Sequence, residues 1–115
     1  LSREAALGLT PVPHQDVLAE DLPGGDVMLV YPLRWRPWMT QLAQRLGGGT
    51  SAPPMRRIQL DEMGSRTWRL MDGRRSVREI AHALSRRYRL PREEAEMAVS
   101  QFIRELGRRG LVGLR

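Results

Sequence analysis

Between Arg57 and Gly73 the sequence reads RIQLDEMGSRTWRLMDG, and within these seventeen residues its hydrophobic period changes from two to that of a helix. From Arg56 to Leu60 apolar and polar residues alternate, with Ile58 and Leu60 on one face and Arg57 and Gln59 on the other, as in a half-buried strand. From about residue 62 to 72 the inward positions become Met63, Thr67, Trp68 and Met71, and Gly73 offers a left-handed stop. The Asp61-Glu62 pair caps or starts the helix at the corner. Ile58, Leu60 and Trp68 then share one core, so a small sheet edge must sit against a helical bundle.

The remaining pattern completes an α+β chain. Ser76-Val77-Arg78-Glu79 is a capping box opening a second helix, along which Val77, Ile80, Ala81, Leu84 and Tyr88 recur at helical spacing. Pro91 opens a third, with Glu93, Glu94 and Glu96 toward the positive end of its dipole and Ala95, Val99, Phe102 and Leu106 facing the core. Gly110 ends it, and Leu111-Val112 folds back as a hydrophobic clasp. Upstream, residues 1–15 contain two prolines in no sustained period and read as an extended arm. Residues 16–21 and 26–31 alternate weakly about Leu22-Pro23-Gly24-Gly25, which predicts a β-hairpin over 16–32. Residues 33–55 form an insertion: Pro37 starts a short amphipathic helix with Trp38, Met39, Leu42, Ala43 and Leu46 on one face, three glycines stop it, and a loop follows. The whole is expected as one domain, with the strand and three helices over 56–113. Its fold class is a small three-stranded antiparallel sheet followed by a three-helix bundle, with a short helix inserted between strands two and three.

Composition removes several classes of function. The absence of cysteine rules out disulfides, thiolate metal sites and Cys nucleophiles, and fits a cytoplasmic protein. No apolar run is long enough to span a bilayer, and the N-terminus lacks a signal pattern. His14 and His82 lie far apart with no Ser or carboxylate partner at a usable spacing, and Gly47-Gly48-Gly49 lacks the lysine of a phosphate loop. No catalytic residue, metal set or cofactor is expected. All the basic charge is arginine, and it is uneven: residues 1–54 hold four Arg against five acids, residues 55–115 fifteen against eight. Arg86, Arg87, Arg89 and Arg92, and Arg104, Arg108 and Arg109, are the densest clusters, which suit solvated surface, an acidic peptide, an acidic partner or nucleic acid.

Leu60-Asp61-Glu62, Gly64, Trp68, Asp72-Gly73, Ser76-Val77, Glu79-Ile80 and Gly110-Leu111 together resemble the PqqD family, peptide-recognition elements of ribosomally synthesised, post-translationally modified peptide biosynthesis. The resemblance covers residues 56–113 and, more loosely, the hairpin. It implies a winged-helix-like unit that holds the leader of a precursor peptide as a strand added to its third β-strand, in a groove against its third helix, and presents it to a modifying enzyme, often a radical SAM protein. Carried onto this chain, the strand is Arg57, Ile58, Gln59 and Leu60, and the groove wall is Glu94, Ala98, Gln101 and Glu105, a stripe at steps of four, three and four beside the core stripe. The chain departs from the family pattern in residues 33–55, where two strands would otherwise follow almost directly. Trp35, Trp38 and Leu42 there either pin the insertion to its own domain or form a partner or homodimer contact. Two other functions remain open: a winged-helix DNA-binding protein, opposed by the carboxylates that open the third helix, and a subunit of an enzyme complex that binds no peptide.

Overall fold

The computed structural model describes residues 2–33 and 54–115. Along the chain lie α1 (Arg3–Leu7), β1 (Pro11–Pro13), β2 (Leu18–Asp21), β3 (Val27–Pro32), β4 (Met55–Gln59), α2 (Glu62–Leu70), α3 (Val77–Tyr88), α4 (Arg92–Arg108) and β5 (Val112–Leu114). The expected strands one to three correspond to β2, β3 and β4, and the expected helices one to three to α2, α3 and α4. The inserted helix, with Trp35, Trp38 and Leu42, falls outside the described residues.

The central sheet is antiparallel in the order β2-β3-β4. Its middle strand supplies Val27, Leu29 and Tyr31 to the core, where they meet Leu60 from the corner after β4 and Trp68, Ile80, Leu84, Val99 and Ile103 from the helices. Side chains as fully enclosed as Leu29, Ile80 and Leu84 each contribute about 2 kcal/mol through removal of apolar surface from water. The corner between sheet and helices is tied by a buried hydroxyl. Ser65 Oγ accepts the Val27 N–H at 2.8 Å and donates to the Leu60 carbonyl at 3.3 Å, so one side chain links β3, the end of β4 and α2. Asp61 caps α2 by accepting the Gly64 N–H at 2.7 Å. The capping box on α3 is complete, Ser76 accepting from the Glu79 backbone and Glu79 from the Ser76 backbone.

Two features depart from the sequence expectation. The N-terminal fifteen residues are not simply an extended arm. Ser2 caps the short helix α1, Leu7 enters the core at 1% exposure, and β1 pairs antiparallel with β5, Pro11 to Pro13 facing Leu114 to Val112. The prolines sit in a strand of a two-stranded ladder, where one side needs no donor. The clasp at Leu111-Val112, both buried, thus continues into a second small sheet rather than ending in a loop. The second departure is at α2, which ends at Leu70 instead of reaching residue 72. Gly73, at φ +78°, turns the chain within the following loop, where Asp72 accepts the N–H groups of Arg74 and Arg75 at 2.9 Å each.

Candidate functional site

β4 is an edge of the central sheet, with β3 its one strand partner among the described residues. Its ladder has a definite phase. The Leu60 N–H bonds to the Val27 carbonyl and the Leu33 N–H to the Pro54 carbonyl, each at 2.8 Å, at the two ends of an uninterrupted register that pairs Tyr31 with Arg56, Val30 with Arg57, Leu29 with Ile58 and Met28 with Gln59. In an antiparallel pair, hydrogen-bonded and non-hydrogen-bonded residue pairs alternate. Arg56, Ile58 and Leu60 therefore turn their backbone groups toward β3, while Arg57 and Gln59 turn theirs to the open edge. An incoming strand would bond to the backbone of Arg57 and Gln59.

The side chains follow the opposite alternation. Ile58 lies partly buried against the core, on the face shared with Leu29 and the helices, and Arg56 lies on that face too. Arg57 and Gln59 are exposed on the other face. Of the four strand residues assigned to the site, Arg57 and Gln59 offer backbone, Ile58 offers a side chain, and Leu60, at 6% exposure, belongs to the core below the edge.

Two separate hollows lie near the two ends of β4. At the Leu60 end, a pocket of about 150 Å³ is lined by Asp61, Met63, Gly64, Thr67, Ala98 and Phe102 among others. Gly64 permits its shape. A Cβ at that position would stand 3.3 Å from Phe102 Cε1 and 3.1 Å from Asp61 Oδ1, so the ring can lie against α2 because no side chain intervenes. At the other end of β4, a cleft of about 490 Å³ lies between Tyr31, Pro32, Leu33 and Arg56 of the sheet and Arg108, Arg109 and Gly110 at the end of α4.

Of the helix stripe, Ala98 is half-buried and lines the Phe102 pocket. Glu94, Gln101 and Glu105 are exposed, and Glu105 is engaged by Arg108, whose Nη1 donates to its carboxylate at 2.7 Å. Residues that sequence spacing did not assign to the site include Phe102, placed there in the core, together with Met63, Gly64 and Arg56. The strand alternation does carry a signal for Arg56, since it shares the face of Ile58.

Asp72 and Glu79 have carboxyls held below their ordinary ranges, Asp72 mainly by the Arg75 N–H and then the Arg74 N–H, Glu79 mainly by the Ser76 N–H and then the Ser76 hydroxyl. Both are exposed structural caps that line neither hollow. Among the described residues, no group of three His, Asp or Glu is placed to hold a metal ion, and no helix is long and apolar enough to cross a membrane.

Against this geometry stand the comparisons with known proteins. The family model for coenzyme PQQ synthesis protein D (PqqD) matches residues 53–112, just over half of the chain. The chain belongs to the PqqD family. A solved structure, TbiB1 in complex with the TbiA(beta) leader peptide, is similar in fold, with a TM-score of 0.62 at 23% identity over 88% of this chain and 93% of that one. No curated protein matches the chain.

Proposed function

We propose that the protein is a recognition module that binds the leader of a ribosomal precursor peptide as a strand added to β4 and presents it to a modifying enzyme. The observation that carries this reading is the open edge of β4, with the backbone of Arg57 and Gln59 facing outward and a pocket between the helices near its Leu60 end. Membership of the PqqD family supports it, as does likeness to a fold whose solved example holds a leader peptide. The module itself does no chemistry; the reaction belongs to the partner enzyme, for which a radical SAM protein is our assignment. We place the protein in the cytoplasm and assign Trp35, Trp38 and Leu42 to a partner or homodimer contact.

The DNA-binding alternative draws on the arginine excess of the C-terminal half. Its reading helix would be α4, which opens with Glu93 and Glu94 in its first turn, and a polyanion would meet carboxylates there first. The test is an amide NMR titration of the labelled protein with the leader segment of a precursor peptide encoded beside its gene, with duplex DNA in parallel. Shifts at Arg57–Leu60 and along Glu94–Glu105 with peptide alone support the module. Salt-sensitive shifts around Arg86–Arg92 with DNA would replace it with a DNA-binding protein, and silence with both would favour a subunit that binds no peptide.

A further inference from the structure

The hollows near the two ends of β4 differ in chemistry, and the strand register sets how many peptide positions separate them. At one end, Met63, Ala98 and Phe102 surround the 150 Å³ pocket. At the other, Arg56, Arg108 and Arg109 converge on the cleft beside Tyr31. Arg108 is answered by Glu105. No carboxylate among the described residues is paired with Arg56 or Arg109, and residues 34–53 contain neither Asp nor Glu. That cleft therefore holds three guanidinium groups against one carboxylate.

An antiparallel strand added to β4 would form its hydrogen-bonded pairs at Arg57 and Gln59, where the free backbone groups are. Its residues opposite Arg56, Ile58 and Leu60 would then be non-hydrogen-bonded partners, the pairs in which facing side chains come closest. Because Arg56 and Ile58 share the helix-facing side, these three peptide residues point to that side, each two positions from the next. The residue opposite Arg56 meets the basic cleft. The residue opposite Leu60, four positions away, meets the Phe102 pocket. This separation holds whether the peptide runs parallel or antiparallel to β4.

We propose that the peptide recognised here carries an acidic residue and an apolar residue four positions apart, the carboxylate held by Arg56 and Arg109 and the apolar side chain seated among Met63, Ala98 and Phe102. The inference rests on the strand-addition reading above and adds the chemistry of the occupant. Guanidinium groups suit it because their fixed donors match a carboxylate in a two-point contact.

The test is fluorescence anisotropy with the labelled leader segment of the precursor peptide encoded beside the gene, each Asp changed to Asn and each Glu to Gln in turn, and each apolar residue to Ala. It is repeated on Arg56→Gln/Arg109→Gln protein, whose substituted side chains are exposed and whose melting temperature serves as the folding control. One acid-to-amide change is expected to weaken binding about fivefold on the wild-type protein, the discounted strength of an exposed charge-assisted contact. The same change should have no effect on the double variant, and the apolar residue four positions away should be the costliest alanine. Equal affinity of all the amide peptides, or an acid whose effect persists on the double variant, overturns the inference while leaving strand addition standing. A leader that fails to bind at all overturns both.

Discussion

The phase of the β4 ladder can be tested by moving one proline along it. At Arg57 the backbone N–H faces the open edge, so proline removes no bond to β3; at Ile58 it removes the donor to Leu29 across the ladder. Proline is accepted on an edge strand where its missing N–H faces outward and costs about 3 kcal/mol or more where it breaks pairing. With a shift of about 4 °C per kcal/mol for a chain of this size, Ile58→Pro should lower the melting temperature by roughly 12 °C or more. Arg57→Pro should lower it by no more than about 4 °C, the adjustment of φ costing on the order of 1 kcal/mol. The order reverses for binding. Arg57→Pro deletes one peptide hydrogen bond, worth about 1 kcal/mol, and sets its ring against the incoming backbone, so leader affinity should fall at least about tenfold. Arg57→Ala, which leaves the N–H in place and removes a side chain on the far face, should change affinity less than about twofold. Anisotropy with a leader peptide and thermal melts followed by circular dichroism measure both quantities. If Arg57→Pro and Arg57→Ala bind alike, the edge is not where peptide binds; if Arg57→Pro unfolds the protein as Ile58→Pro does, the assigned phase is wrong.

Other consequences are more local. Ser65→Ala leaves the buried Val27 N–H without its 2.8 Å acceptor, which should cost about 2 kcal/mol and appear as a fall of roughly 8 °C in melting temperature. Ala98→Phe should fill the pocket against Phe102 and weaken leader binding about tenfold or more, with little change in the melting temperature because Ala98 is only half-buried. Asp72 and Glu79 titrate below their ordinary values in the folded protein, so the stability they add is present above the unfolded carboxylate range and is lost as pH falls through their depressed values. Melting temperature should therefore drop from about pH 4.5 downward, and Asp72→Asn with Glu79→Gln should flatten that limb. Ser76→Ala, which opens the capping box, should cost about 1 kcal/mol at neutral pH in the same melts.

The parts of the fold legible in the sequence are those whose determinants lie within one turn or one strand. Ser76 and Glu79 form their box because the partners are three residues apart, and Ile58, Leu60 and Trp68 reach the core because their periods differ on either side of Asp61. The pairing of β1 with β5 joins segments from opposite ends of the chain, three residues each, too short for any period to register. Leu7 looks like one more apolar residue in a proline-rich arm until α3 is in place to receive it: the Val77 N–H bonds to the Leu9 carbonyl at 2.8 Å, and Arg78 reaches Glu4 at 2.7 Å. The end of α2 falls short of the expected position for a different, local reason. Asp72 binds the N–H groups of Arg74 and Arg75, and that local competition for backbone donors stops the helix before the glycine does.

The candidate site divides in the same way. Alternation alone separates Ile58 from Arg57 and Gln59, but it leaves undecided which residues turn their backbone to the open edge, because both phases of the ladder give the same side-chain pattern. The 2.8 Å bond from the Leu60 N–H to the Val27 carbonyl decides it. The face of Arg56 follows from alternation with Ile58, but only the fold shows that the end of α4 brings Arg108 and Arg109 to the same cleft. The stripe of Glu94, Ala98, Gln101 and Glu105 follows helical spacing correctly, yet spacing cannot weigh its members. Ala98 lines a pocket, while Glu105 is already held by Arg108. At the C-terminal end of that stripe the Glu105–Arg108 pair leaves Arg109 and Arg56 lining the cleft, so the arginine cluster that sequence alone left between solvent, an acidic peptide, an acidic partner and nucleic acid is brought beside one end of β4.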